Sequence, residues 1–537
     1  MATFDETVDE FLETYWRHHP VEATHAGVHR YDGDLPDTGP GAAREWREAV
    51  DRFTERFEAF DPAELDHDAR LDRRWALAVL EKLRIDAEMR PWERAPRHYL
   101  DTLGNGLHDL LLGDRARRDR FEALLARLDA VPEFLSTAES TLDPPSVPPV
   151  WVDAGLRTTR TLRQFVDDGI PEAAGRVPDL ESDIVAASER AADAITAFEA
   201  FLHSVEARAD GDFAVGRDRF DRLLRDYHLL EMDADDLHEF GREWVDRYER
   251  EMETIADGID PGSDWVTVLE RIKRDHPAAE DLRQAYEDET MLAREHCVEH
   301  DLITIPDGEE VSIEWTPSYM RDAYPIAKPW TTAPFEEGLA GKWYVTGVDP
   351  TEDDEARAEH LRDHSWAWIR AIAQHEMYPG HHLHMAVHKQ VATPLRKQFT
   401  SPIFVEGWGL YTEELFYETG LLDEPELRLM QLRNGLWRAV RIVVDTGLHT
   451  REMTAEEATD LLVDRARLER RWAETEVQRY TTRPTYPSSY RIGLTQLMDL
   501  RETYREQRGE AYDRKEFHDE LMAYSILPVG MIADELL

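Results

Sequence analysis

Apolar positions recur every three or four residues through most of the first 300 residues. In FDETVDEFLETYWRHH, Phe4, Val8, Phe11, Leu12 and Tyr15 fall on one helical stripe. RLDRRWALAVLEKLRIDAEM repeats the pattern with Trp75, Leu77, Val79, Leu80 and Leu83. Clusters of Pro, Gly and Asp at 143–155 and 257–265 punctuate these stripes. The texture changes at residue 301. Short β-forming runs at 302–305, 311–315 and 342–346 lie among aromatics and prolines and predict a small sheet inserted in a helical protein. Helical spacing resumes at 351, where Thr351 and Asp354, after Pro350, read as a capping box. The predicted helix turns Leu361, Trp368, Ile369 and Ile372 inward and runs directly into His375 and Glu376. No repeat of fixed period and no low-complexity tract interrupts the chain. The pattern predicts a mainly α protein in three stretches, 1–300, 301–350 and 351–537, that form one continuous structural unit.

Charge narrows the function classes. The net charge is −49, from 63 basic and 112 acidic residues. Nucleic acid and anionic membrane both need a basic footprint, so neither is an expected partner. Only seven of the basic residues are Lys, at 82, 273, 328, 342, 389, 397 and 515. A carboxylate-covered surface nearly without Lys predicts a halophilic protein, in which salt screens the self-repulsion. No apolar run reaches the roughly 18 residues of a membrane span. The acidic, amphipathic N-terminus does not read as a secretory signal, so the expected location is cytoplasmic. Cys297 is the single cysteine, which excludes an intramolecular disulfide and fits a reducing compartment. It lies between His296 and His300, a spacing that reads as a partly exposed helix face rather than a metal site because no fourth ligand is near in sequence.

Chemistry concentrates in RAIAQHEMYPGHHLHMAV, residues 370–387. A zinc-peptidase helix carries histidines at i and i+4, with a Glu after the first as general base. Here Glu376 follows His375, but Pro379 occupies the i+4 position, and the next histidines are His381 and His382. An i+6 histidine on an ideal helix stands roughly 9 Å further along the axis. Proline and glycine distort a helix, so a bulge at Pro379–Gly380 that absorbs two residues would bring His381, or its rival His382, to the metal. Downstream, SPIFVEGWGLYTEELFYETG reads as a second helix. Its Glu406 completes a His2Glu set with one open position, and Glu413 is the alternative ligand or a supporting partner. The donor set favours zinc.

HEMYPGHH followed by FVEGWGLYTEEL resembles the domain-of-unknown-function family 885, DUF885, with Gly409 where the family pattern has Ala. WTPSYMRDAYPIAKPW, GKWYVTG, RAVRIVVDTGLHTREMTAEEA, PSSYRIGLTQLMDLR and EFHDELMAYSILPVGMI extend the resemblance across essentially the whole chain. The resemblance implies a zinc peptidase of the gluzincin kind: a two-lobed helical molecule with a deep cleft and the small sheet beside it. It implies His375, His381 and Glu406 as metal ligands and Glu376 as base, with His449 and Tyr490 as further catalytic candidates. A Tyr hydroxyl or His N–H can donate to the oxyanion of amide hydrolysis. Tyr490 lies in the Pro-rich break RPTYPSSYRIG, and Asp445 stands four residues before His449, placed to orient it. Arg491 or Arg501 could pair with a substrate carboxylate, and an exposed strand edge at 342–346 could pair with an extended peptide. The expected activity is zinc-dependent hydrolysis of small peptides. The alternative is a helical scaffold with a structural metal or none.

Overall fold

Helices occupy most of the chain, and the predicted stripes become their buried faces. The computed structural model describes residues 2–112, 116–317, 320–321, 324, 326–349 and 351–537. The helix Phe4–His18 starts at Thr3, whose hydroxyl accepts the Glu6 N–H while the Glu6 carboxylate accepts the Thr3 N–H. Phe4, Val8, Phe11, Leu12 and Tyr15 are all buried. In the helix His67–Glu88, Trp75 is buried and its indole donates to the Phe399 carbonyl at 2.9 Å. This first region is thereby fastened to a segment 324 residues further along the chain. One large hydrophobic cluster reaches from Phe4 to Ile532, and a second, from Tyr99 to Val205, is built by the helices between those residues.

The sheet has three strands, β1 (Glu309–Trp315), β2 (Ala327–Thr331) and β3 (Leu339–Val345), in the order β1-β3-β2. β3 pairs parallel with β1 and antiparallel with β2. Three expectations change here. Residues 302–305 form no strand: Leu302 and Ile303 are buried, and Thr304 bonds Asp519 through its N–H and hydroxyl. β2 was not foreseen, because AKPWT is short and Pro-interrupted. The run at 342–346 is no exposed edge, since β3 is the central strand and both its sides are paired. Of the segment WTPSYMRDAYPIAKPW, residues 318, 319, 322, 323 and 325 lie outside the described residues, as does Pro350.

Three further local expectations are corrected. The helix Asp354–Arg362 is capped by Asp353, whose carboxylate accepts the N–H groups of Glu355 and Ala356; Thr351 instead bonds Asp349. The chain then breaks, and a new helix, Trp366–Glu376, starts at Ser365, so no single helix runs from 354 to His375. Cys297 is buried in the large cluster rather than partly exposed, and burial pushes its thiol pKa up. Neighbouring His296 bonds the Thr419 hydroxyl at 2.7 Å.

Candidate metal centre

Helix Trp366–Glu376 ends at the two residues that chemistry singles out, His375 and Glu376. Residues 377–380 turn the chain, with the Tyr378–Pro379 peptide in cis. His381 then opens the helix His381–Val391. The expected bulge inside one helix is therefore a break between two. Pro379 offers no N–H to extend the first helix. Gly380 passes so close to that helix that a Cβ would lie 1.9 Å from the His375 carbonyl oxygen. The glutamate helix, Pro402–Glu418, holds the junction: the Trp408 indole donates to the Pro379 carbonyl at 2.8 Å and the Thr412 hydroxyl to the Gln374 carbonyl at 3.0 Å. The second bond satisfies a helix-end carbonyl that has no partner within its own helix.

The face of the glutamate helix carrying Glu406, Gly409 and Glu413 lies against His375. Gly409 leaves room for the imidazole, since a Cβ there would come within 2.5 Å of the ring. The His375 and His381 rings stand 4.8 Å apart and nearly perpendicular. Glu406 Oε2 is 3.6 Å from His381 Nε2 and 4.0 Å from His375 Nε2, and the three ligand atoms lie within 4.8 Å of one another. Ligands at 2.0–2.2 Å from a tetrahedral ion sit roughly 3.3–3.6 Å apart. Side-chain shifts of an ångström or so would close this set on one ion. His375 and Glu406 are buried and His381 is nearly so, which leaves few water molecules to compete for the donors.

His382 goes elsewhere. Its Nε2 meets Glu309 Oε1 at 2.7 Å, and the Tyr378 hydroxyl donates to the same carboxylate. Gly341 on β3 makes the space: a Cβ there would sit 2.2 Å from His382 Nδ1. The two adjacent histidines thus divide, His381 toward Glu406 and His382 toward the sheet.

Each ligand has support. His375 Nδ1 is 2.8 Å from Glu413 Oε1, so Glu413 backs the imidazole and is not a ligand. Burial pushes the Glu413 carboxyl up to about 8, against the opposing charges of Arg438 and Arg428. Burial pushes His375 down to about 3, with His381 adding to the effect. Glu406 is different. Burial raises its pKa, but the bond from His381, the charges of both histidines and the bond from Tyr486 outweigh this and hold it at about 2. It is an anion ready for a cation. Tyr486 donates to Glu406 Oε1 at 2.6 Å. Sequence reasoning missed Tyr486; TYPSSY places two tyrosines four residues apart, and it is the first that reaches the ligand.

Glu376 is half-buried, and no described group hydrogen-bonds its carboxylate. Its charge acts on His381 and His375. Tyr490 is buried near the centre, where burial and the Glu406 charge raise its pKa, and its ring lies 6.3 Å from that of Tyr486. His449 is held apart by backbone: Nε2 donates to the Tyr480 carbonyl at 3.1 Å and Nδ1 accepts the Val215 N–H at 3.4 Å. Neither nitrogen is left to donate to a substrate. Asp445, the expected orienting group, lies 3.9 Å from His449 Nε2 but takes its hydrogen bonds from the Ser488 hydroxyl at 2.6 Å and the Thr485 N–H at 3.2 Å. Arg491 donates to the Tyr248 hydroxyl at 2.9 Å, and Arg501 grips Glu418 with both terminal nitrogens.

The fold has relatives of known structure. A protein from Shewanella oneidensis, described as "a putative lipoprotein of unknown function", matches over 100% of both chains with a TM-score of 0.82 at 20% identity. A second, described as "the putative lipoprotein from Colwellia psychrerythraea", matches over 100% of this chain and 99% of its own with a TM-score of 0.83 at 17% identity. A Pyrococcus furiosus carboxypeptidase matches with a TM-score of only 0.43 at 12% identity, too loose a likeness to carry an argument. Among curated proteins none matches the sequence. The profile of the bacterial proteins of unknown function termed DUF885 matches residues 20–536, and the chain belongs to that family.

Proposed function

We propose that the protein is a zinc-dependent hydrolase of peptide or peptide-like amide bonds in small peptides. The observation that carries the reading is the convergence of His375 Nε2, His381 Nε2 and a Glu406 oxygen. The partly exposed Glu376 carboxylate stands beside them, unbonded by any described group. Two imidazoles and one carboxylate are a catalytic rather than a structural zinc donor set, because they leave a coordination position open. The Glu413 carboxylate behind His375 fits too, since a carboxylate on the far nitrogen fixes the tautomer and raises ligand basicity.

Held by His375, His381 and Glu406, a zinc ion would supply Lewis acidity, polarising a substrate carbonyl and making a water more acidic. Glu376 accepts the proton that the attacking water gives up and delivers it to the leaving amine. The Tyr490 hydroxyl, buried within the field of Glu406, would donate to the developing oxyanion; His449, occupied by backbone, serves to hold the surrounding helices. Tyr486 keeps Glu406 ionised and oriented. The single buried cysteine supports a cytoplasmic setting. Among the described residues no helix is long and apolar enough to cross a membrane.

The test is metal content and metal dependence together. Protein purified in high salt should carry about one zinc per chain. Chelation should abolish cleavage of a small-peptide library, and added Zn²⁺ should restore it. Metal-free protein that cleaves as fast as loaded protein would rule the reading out.

A further inference from the structure

The helix Pro425–Thr450 presents an unusual face. Arg433, Asn434, Trp437, Arg438 and Arg441 are buried or nearly so, and positions i, i+4 and i+8 place them on one side. They are rich in donors and poor in acceptors. The Nε atoms of Arg433, Arg438 and Arg441, Nη1 of Arg441, the Trp437 indole N–H and the Asn434 amide nitrogen are all buried without a described protein acceptor. Buried donors of this kind normally find partners. Arg441 has one carboxylate, Glu476, at 2.9 Å. Arg438 bonds only the Asn434 carbonyl of its own helix, at 3.2 Å, and Arg433 only the Asn434 side chain, at 3.4 Å. Neither forms an ion pair with a described carboxylate. An arginine stripped of water without an anion costs free energy that a bound anion would recover.

This face adjoins the metal centre. Arg438 acts electrostatically on His375, His381 and Glu413. Its guanidinium lies 4.8 Å from the Trp437 ring and 5.7 Å from that of Tyr490; Arg441 lies 4.0 and 4.8 Å from the same two rings. Tyr490 neighbours Tyr486, which bonds Glu406. The donors therefore stand two rings, Tyr490 and Tyr486, away from a metal ligand, whereas Arg491 and Arg501 are already engaged.

We propose that Arg438 and Arg441, with Trp437 and Tyr490, form a carboxylate-binding subsite that holds an anionic group of the substrate beside the scissile amide. The group is the free α-carboxylate of a peptide end or an acidic side chain next to the cut. The planar guanidinium suits either, because it offers paired N–H donors to two oxygens. Arg433 adds positive potential behind the pair. The subsite rests on the hydrolase reading for its purpose but not for its detection.

The experiment uses full-length, zinc-loaded protein and libraries of N-acetylated peptides in matched forms: C-terminal carboxylate against carboxamide, and Glu against Gln within the peptide. Charge-assisted bonds predict that the wild type cleaves at least one charged form about 10- to 100-fold faster in kcat/KM than its neutral twin. Whichever pair shows the preference identifies the source of the anion. Arg438→Met should bring that ratio close to one, whatever it does to the rate on the neutral form; Arg438→Lys should recover part of the ratio. A merely structural Arg438 would slow both forms alike. Calorimetry on Glu376→Gln protein with the same peptides reads binding without turnover. If charged peptides bind there in an Arg438-dependent way but the wild type cleaves nothing, the hydrolase reading falls and the subsite stands. Equal binding and cleavage of charged and neutral forms, or a ratio that Arg438→Met and Arg438→Lys both leave unchanged, overturns the subsite.

Discussion

Two adjacent histidines carry different burdens. His381 faces Glu406, while His382 completes a buried triad with Glu309 and Tyr378. His381→Ala should therefore lose stoichiometric metal, as read by metal analysis after desalting. His382→Ala should keep the metal and lower the melting temperature instead, because it strips a partner from a buried carboxylate. Metal loss on the His382 change, with retention on the His381 change, would reverse the ligand assignment. Glu413→Gln keeps the shape of the contact to His375 but cannot become the anion that a cation on the far side of the imidazole would favour. Zinc affinity should fall about 10- to 100-fold, measured by competition with a chelator. Much of this was legible residue by residue. The His-Glu pair, the displaced histidine and Glu406 stood out because the chemistry needs those types. The choice between His381 and His382 was not legible, since it depends on Gly341, in a strand 40 residues earlier, making room for one ring. Arg438 was hidden for another reason: in a chain with so many arginines, only burial without a carboxylate distinguishes one.

At the scale of elements, the metal centre is a meeting of helix ends and glycine contacts. Periodicity located the helices, but not where the chain stops and restarts at 363–365 and 377–380. Those ends are set by Ser365, Pro379 and contacts from the distant Trp408 and Thr412. The glutamate helix crosses the helix Ser489–Arg508 with backbones in contact: a Cβ on Gly407 would lie 2.5 Å from Gly493, and one on Gly493 only 2.0 Å from the Ile403 carbonyl oxygen. Gly493→Ala should force the two apart and cost about 1–3 kcal/mol in urea unfolding. Because Glu406 is one residue from that crossing, zinc affinity should fall as well. An unchanged midpoint would mean the crossing is looser than these distances. The small sheet shows the opposite limit of pattern reading: its presence was evident, but its order was not, and the order decides that β3 is interior.

Across the whole molecule, net charge sets the response to salt. A net charge of −49 repels itself at low ionic strength. Surface pairs such as Arg118 with Asp179 or Arg190 with Asp129 each contribute little and are screened by salt. The Debye length falls from about 10 Å at 0.1 M to about 3 Å at 1 M, so screening the general repulsion should outweigh the lost pairs. Raising KCl from about 0.1 to 1 M should raise the melting temperature. A flat or falling trend would remove the argument for a high-salt cytoplasm. Overall architecture was readable, since helical spacing dominates the chain. What joins the halves was not: the hydrophobic cluster from Phe4 to Ile532 arises from contacts, such as Trp75 with the Phe399 carbonyl, that no local pattern announces.

The central claim is that Glu376 acts as base beside a metal held by His375, His381 and Glu406. Its most direct test is Glu376→Gln, assayed for zinc content and peptide hydrolysis in the same preparation. The account predicts zinc unchanged at about one per chain and hydrolysis reduced roughly 10²- to 10⁴-fold. Zinc retained with hydrolysis undiminished would contradict it.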